Sequence, residues 1–270
     1  MRTKAPLRLG LRAFSESSLV RNLPFPPPLV CGGDTEVVLL SEMHSHTTWS
    51  DGFLTTRELV DLYGALGFDV LCVTDHVLRG EDARRGVDVD SYDAYLAEIE
   101  REAARARRLY DLLVIPGLEL TYNHEDPDRA GHALALGLRE PVSMDDGLVE
   151  AMRRARATGA SIIAAHPNGP EPHPASRGTR FFWRHWADLD GLIDRFELFN
   201  RRQVFPWVAD AGLPVIATGD FHHLENLAGW KTLLPCAKEE AAVLECLRSP
   251  ARAYLLPWGR ELALAPRLAA

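Results

Sequence analysis

The stretch SEMHSHTTWSDG, Ser41 to Gly52, puts His44 and His46 one residue apart and Asp51 just beyond them. Side chains at i and i+2 of a strand point to one face. At the end of the apolar run EVVLLSEMH both imidazoles therefore project toward one point. Two imidazoles and a carboxylate so placed are the donors of a transition-metal site. Similar groups recur along the chain. Asp75 and His76 end FDVLCVTDH, Glu119 lies in LLVIPGLEL, His132 opens GHALALGL, His166 lies at the end of SIIAAHP before its proline, and Asp220 and His222 end PVIATGDFH, with His223 next. Each alone has an ordinary reading: a hydrogen-bonded core histidine, a turn aspartate at SDG, a capping glutamate. Together they resist it, because burying so many ionisable groups at one place without cations is costly. Divalent ions remove that cost, and neutral imidazoles with carboxylates suit zinc, manganese or iron.

The elements that must position these groups alternate. With RFELFN, seven apolar runs read as strands, and helical patterns lie between them. TTRELVDLYGALG opens with Thr55 and Glu58 at capping-box spacing. DAYLAEIEREAARARRLY has an apolar stripe and a charged face. SMDDGLVEAMRRARATG carries acids early, bases late and a terminal glycine. FPWVADAG is a shorter helix. This alternation predicts a mainly parallel sheet, and seven strands suit a closed barrel. Its strand ends would share one face, where such folds do chemistry.

Length and composition fit one large α/β domain with an extension: 270 residues, 46% hydrophobic and 25% charged. LPFPPPLVCGGD reads as a linker, so residues 1–34 are expected to be an N-terminal extension and Pro-rich linker, and 35–270 the barrel. The basic residues Arg2, Lys4, Arg8, Arg12 and Arg21 give the extension the flavour of a transit peptide; a peripheral extension on a cytoplasmic protein is the preferred reading. A net charge of -8 argues against an extended nucleic-acid surface. It leaves room for a phosphate pocket, because bound cations reverse local charge. Cys31, Cys72, Cys236 and Cys246 form neither a zinc-knuckle nor a disulfide pattern. No apolar run has the length of a membrane span.

The runs MHSHTTWSDG, VTDH, PGLEL, GHALALG, AHP and TGDFHH, in this order between Glu36 and His223, resemble the motifs of the PHP (polymerase and histidinol phosphatase) family of metal-dependent phosphoesterases. The resemblance implies a distorted (β/α)7 TIM-like barrel with two or three divalent ions, zinc, manganese or iron, at the C-terminal ends of its strands. It implies that His44, His46, Glu119 and Asp220 hold one ion and that Glu119 bridges to a neighbour. Asp51 and His76 fall at ligand positions of another ion, His166 and His222 complete the shared set, and His132 follows the bridging glutamate as a further ligand. Position 51 alternates between His and Asp in the family, so the third site stays open. His124 rivals His132, but YNHEDPD reads as a solvent loop whereas GHALALG matches the family strand. Asp75 is read as orienting backbone or a ligand histidine. His223 points away from His222 if the strand continues; a substrate or proton-transfer role is its alternative.

The chemistry expected at Asp220, His222 and Glu119 is hydrolysis by a metal-activated hydroxide. Ions about 3.5–4 Å apart lower the pKa of a trapped water and stabilise charge on phosphorus-bound oxygens. No serine or cysteine nucleophile elbow is present. Phosphate also wants cations from the protein. Arg177, Arg180, Arg201, Arg202 and Lys231 are candidates, and Asn200–Arg202, directly after a strand, is the foremost. The aromatic cluster RFFWRHW is either a lid or a helix packing inward. The expected substrate is a small phosphorylated molecule or the end of a nucleotide or oligonucleotide. An amidohydrolase-type C–N or ester hydrolase is the second reading. A non-catalytic metal-binding module is the third, although no polymerase accompanies the domain and every ligand position is kept.

Overall fold

The computed structural model describes residues 38–170, 178–189, 191–249 and 253–259. The expected extension and linker, Cys31 and Arg177 lie outside the described residues. In chain order the elements are β1 (Val38–Glu42), α1 (Thr56–Ala65), β2 (Val70–Val73), β3 (His76–Val77), α2 (Tyr92–Tyr110), β4 (Leu113–Tyr122), β5 (Gly131–Leu136), α3 (Leu148–Ala157), β6 (Ser161–Ala165), α4 (Phe181–His185), β7 (Arg195–Asn200), β8 (Gln203–Val204), α5 (Pro206–Asp210), β9 (Val215–Thr218), β10 (Gly229–Pro235), α6 (Glu240–Arg248) and β11 (Tyr254–Trp258).

The strands form one eleven-stranded sheet in the order β11-β10-β1-β2-β4-β5-β6-β7-β8, with β3 beside β4 and β9 beside β7. The sheet curls until its flanks meet. His46 N donates to Phe221 O at 2.9 Å and Phe221 N to His44 O at 3.0 Å. The fold is thus mixed α/β with a curled sheet, and the pairing is more mixed than the alternation predicts. β1–β2, β2–β4, β6–β7 and β7–β9 are parallel, but β4–β5, β5–β6, β1–β10 and β10–β11 are antiparallel. The link from β4 to β5, residues 123–130, is shorter than the dozen or so residues a parallel crossover needs.

All seven expected strands are present. FDVLCVTDH is broken into β2 and β3 at Thr74 and Asp75. β8, β10, β11 and α6 are additional. Both faces of the sheet are buried, as the nearly continuous apolar strands require. Along β2, Leu71 and Val73 join the outer core under the helices, while Val70 and Cys72 join the inner one. The inner core, with Leu39, Ile115, Leu134, Ile163 and Ile216, is sealed by Val243, Leu244 and Leu247 of α6. α1 starts as its sequence dictates: Thr55 and Glu58 form the capping box. α2 buries Tyr92, Tyr95, Ile99 and Ala106 on one stripe. Cys72, Cys236 and Cys246 are free. Among the described residues no helix is long and apolar enough to cross a membrane.

Candidate metal centre

The candidate ligands gather at one edge of the sheet. His44 and His46 follow β1, His76 opens β3, Glu119 lies in β4, His166 follows β6, and Asp220 and His222 follow β9. His132 reaches the same edge because β5 is antiparallel. It pairs with Thr121 near the end of β4 and with Ala165 at the end of β6. In a parallel strand its place at the strand start would have put it on the opposite edge.

Four donor atoms converge. His44 Nε2 is 3.5 Å from both Glu119 Oε2 and Asp220 Oδ1. His46 Nε2 is 3.5 Å and 3.4 Å from the same two oxygens. His44 Nε2, His46 Nε2 and Glu119 Oε2 are buried without a hydrogen-bond partner. Such orphaned polar atoms are costly unless something binds them. Ligand atoms bonded at about 2.1 Å to one tetrahedral ion stand about 3.4 Å apart, which is the spacing here. Three sets have donor atoms close enough to share an ion: His46, Asp51, His76 and His222; His44, His46 and Asp220; and His44, Glu119 and His166. Glu119 belongs to both flanks of the site: its Oε1 is 3.0 Å from His166 Nε2. His132 is in none of the sets. Its Nδ1 lies 3.0 Å from Glu119 Oε1 and its Nε2 3.1 Å from Asn123 Oδ1. His124 is turned away: its Nδ1 accepts from Asp126 N in the loop and its ring stacks on Tyr122.

Neighbouring groups fix the imidazoles. Glu197 Oε1 lies 2.9 Å from His44 Nδ1, so the ring proton sits there and Nε2 is left as a lone pair. Glu197 also accepts from His166 N at 2.6 Å, Asn200 Nδ2 at 2.8 Å and Thr218 Oγ1 at 2.6 Å. Thr121 donates to Glu119 O. Its oxygen accepts from His76 Nδ1 at 2.7 Å, which leaves His76 Nε2 facing Asp51 Oδ1 at 3.4 Å. Sequence reading missed Glu197 and Asn123. The signal for Glu197 was a carboxylate inside the apolar strand RFELFN. Asp75 accepts from Thr47 N, Thr47 Oγ1 and Ser50 Oγ at 2.6–2.8 Å, which is the orienting role expected of it.

The backbone is strained here. His166 (φ 28°), Arg201 (φ 52°) and Asp220 (φ 43°) are three of the four described non-glycine residues with positive φ. Each such residue costs about 1–3 kcal/mol and persists where its surroundings hold it. Asp220 is held from behind. Glu42, fully buried, accepts from Gly219 N at 2.8 Å and pairs with Lys231. A Cβ on Gly219 would sit 2.4 Å from Glu42 Oε2 and Lys231 Nζ. Lys231 is therefore no loop residue reaching for substrate. It lies in β10, fully buried, as the partner of Glu42.

The charges are divided accordingly. Burial pulls His44 down, but Asp220, Glu119 and Glu197 outweigh it and raise its pKa well above 6.5. Burial and the neighbouring His76 push His46 down to about 3. Burial lowers His132 to about 4 against Glu119. His222 is raised to about 9 by Asp220 and Asp51 despite burial, and Glu119 raises His166 likewise. Burial opposes the ionised forms of Glu119 and Asp220, yet the surrounding histidines hold both carboxyls well below their usual range.

A cleft of about 790 Å³ opens over these groups. Asn168, Asn200, Arg201, Arg202, Gln203 and His223 line it with the ligands. Arg201 Nη2 is 3.2 Å from Asp220 Oδ1 and 2.8 Å from His222 Nδ1, and its Nε donates to Asp220 O. Arg180 lies elsewhere: it pairs with Asp128 at 2.8 Å and is not among the lining residues. The RFFWRHW cluster forms α4, which buries Phe182 in the outer core.

No family model matches the chain. Over 205 residues it is 29% identical to a 3',5'-nucleoside bisphosphate phosphatase from Chromobacterium violaceum, an alignment covering 70% of this chain and 61% of that protein. Among solved structures, it is similar to a two-domain protein from Bacteroides vulgatus containing a predicted PHP-like metal-dependent phosphoesterase. The TM-score is 0.62 and the identity 23%, with 82% of this chain and 65% of that one covered. It is also similar to PsfC from Pseudomonas syringae PB-5123, with a TM-score of 0.54, 14% identity, and 84% and 94% covered. The chain thus spans less than two thirds of the length of the phosphatase and of the Bacteroides protein. The likeness extends to three dimensions: the chain shares its fold with the matched part of the Bacteroides protein.

Proposed function

We propose that this protein is a metal-dependent phosphoesterase of the PHP type, hydrolysing a small phosphorylated substrate or a nucleotide or oligonucleotide end. The observation that carries the reading is the convergence of His44 Nε2 and His46 Nε2, buried and without a hydrogen-bond partner, on Glu119 Oε2 and Asp220 Oδ1 beneath a cleft that holds Arg201 and Arg202. Two or three divalent ions, zinc, manganese or iron, fit this donor set. His44, His46, Glu119 and Asp220 would hold one. Asp51, His76 and His222 would hold a second. His166 with the other oxygen of Glu119 would complete the set, with His132 steadying Glu119 from outside. When bound, such ions supply Lewis acidity at phosphorus and lower the pKa of water. The chain's own residues do the rest. Glu197 and Thr121 keep the ligand lone pairs of His44 and His76 aimed inward. Arg201 and Arg202, with Asn200 and His223, offer donors to phosphate oxygens. Two guanidinium groups on the wall favour a phosphoryl anion over a neutral carbonyl.

The similarity to a nucleoside bisphosphate phosphatase supports a nucleotide-type ester. A barrel domain over 35–270 of the (β/α)7 kind, working in the cytoplasm, completes the reading. Metal analysis of the purified protein, with phosphate-release assays on sugar phosphates, nucleotides and short oligonucleotides in manganese or zinc, tests it. Asp220→Ala is expected to abolish turnover and lower metal content while the fold survives; full activity in that variant would refute the assignment.

A further inference from the structure

The cleft is far larger than a phosphate group, so most of it must receive the organic part of the ester. Beside His223, one of its lining residues, stands an exposed aromatic ring. Phe53 is 66% exposed, and Leu224 is 60% exposed nearby in sequence to His223. The Phe53 ring lies 6.0 Å from the ring of His223, tilted at 45°, and His223 lines the cleft. Neither ring hangs on a slack loop. Phe53 N donates to His222 O at 2.9 Å, and Gly52 N to Thr47 O at 2.9 Å. A Cβ on Gly52 would sit 2.3 Å from the His46 carbonyl, so this loop is packed against the site itself. His222 N and His223 N both donate to Asn226 Oδ1, at 3.1 Å and 2.9 Å.

At 66% exposure Phe53 leaves most of its ring open beside His223, and a flat aromatic ring offers a surface for stacking. Resting on the phosphoesterase reading above, we infer that Phe53, with His223, is a stacking platform for the nucleobase of the substrate and sets a preference for nucleotides over sugar phosphates. Phe53 stands two residues beyond the candidate ligand Asp51, and its backbone is bonded to that of His222, so the ring belongs to the wall of the same site. Every base has a flat π-face, so such a platform is tolerant of base identity.

The test is equilibrium binding by calorimetry on the manganese-loaded full chain. The probes are non-hydrolysable phosphonate analogues of adenosine 5'-monophosphate and of ribose 5-phosphate. Wild type is expected to bind the nucleotide analogue at least tenfold more tightly. Phe53→Ala should lose about tenfold on the nucleotide analogue and nothing on the ribose analogue, and Phe53→Trp should restore the preference. Equal losses on both probes, no loss on either, no nucleotide preference in wild type, or a Trp variant as weak as Ala would each overturn the platform. The hydrolase reading fails separately. If wild type shows the Phe53-dependent preference yet releases no phosphate from any ester, the platform stands and the catalytic proposal falls. Hydrolysis of ribose 5-phosphate without nucleotide preference gives the reverse.

Discussion

At the scale of single residues the site is a problem of protons. In the metal-free protein His222, raised to about 9, carries a proton at neutral pH, and carboxylate neighbours favour the protonated forms of His44 and His166 too, whereas His46 and His132, lowered to about 3 and about 4, are already neutral. A cation must displace the protons of the first group. Apparent metal affinity is therefore expected to rise with pH, with the contribution of His222 exhausted above about 9. Calorimetric titration of manganese in buffers of different ionisation enthalpy should detect net proton release at pH 7; none, or uptake, would contradict the assignment. Glu197 offers a second test. Glu197→Gln keeps the shape but weakens the acceptor that sets the His44 tautomer, and metal affinity should fall roughly 10–100-fold with the fold intact. Chelator competition reads it. Most of the histidines and carboxylates that meet here were legible in the sequence because they lie at or near an end of an apolar run. Glu197 left only the trace of a carboxylate in an apolar strand and Asn123 none, because a residue that orients a ligand is defined by the ligand's far nitrogen, which only the folded register brings near. Lys231 shows the converse: a lysine with no local signal of burial proves wholly enclosed, since its partner Glu42 lies at the other end of the chain.

At the scale of elements, local rules were read well and long-range pairing poorly. The capping box at Thr55 is a four-residue signal and is present as expected. Thr55→Ala should cost about 1 kcal/mol in denaturant unfolding without changing metal content, because α1 supplies no ligand. The antiparallel insertion of β5 depends on the length of the 123–130 link and on which flank remains open. The apolar alternation of GHALALGL carries no information about direction. α6 has a helical stripe in Val243, Leu244 and Leu247, yet its task, sealing the inner core, is visible only when the sheet has curled. The loop 47–53 joins the two kinds of information. Gly52→Ala has no room beside His46 and should shift Asp51 out of the site. The expected result is a protein that folds but binds fewer equivalents of manganese than wild type; unchanged stoichiometry and affinity would show that the loop yields freely.

At the scale of the molecule, a bound cation is part of the stability. Ligands that bind the folded state and not the unfolded one stabilise by mass action, about 2.7 kcal/mol at a hundredfold excess over Kd. For a chain of this size chelation should lower Tm by roughly 5–10 °C, read by scanning calorimetry with and without EDTA. Asp220→Ala should abolish most of that difference. An unchanged Tm on complete metal removal would mean that the orphaned donors are satisfied in some other way.

The hydrogen bonds between His44–His46 and Phe221 join the earliest and latest ligand-bearing segments. A ribosome delivers His44 and His46 long before Asp220 exists. A growing chain thus presents a pair of imidazoles first, gains the carboxylates of Asp51 and Glu119 next, and completes the candidate donor set only once Asp220 and His222 have been made. A product truncated before Asp220 would lack that carboxylate and would be a poor scavenger of scarce cellular metal.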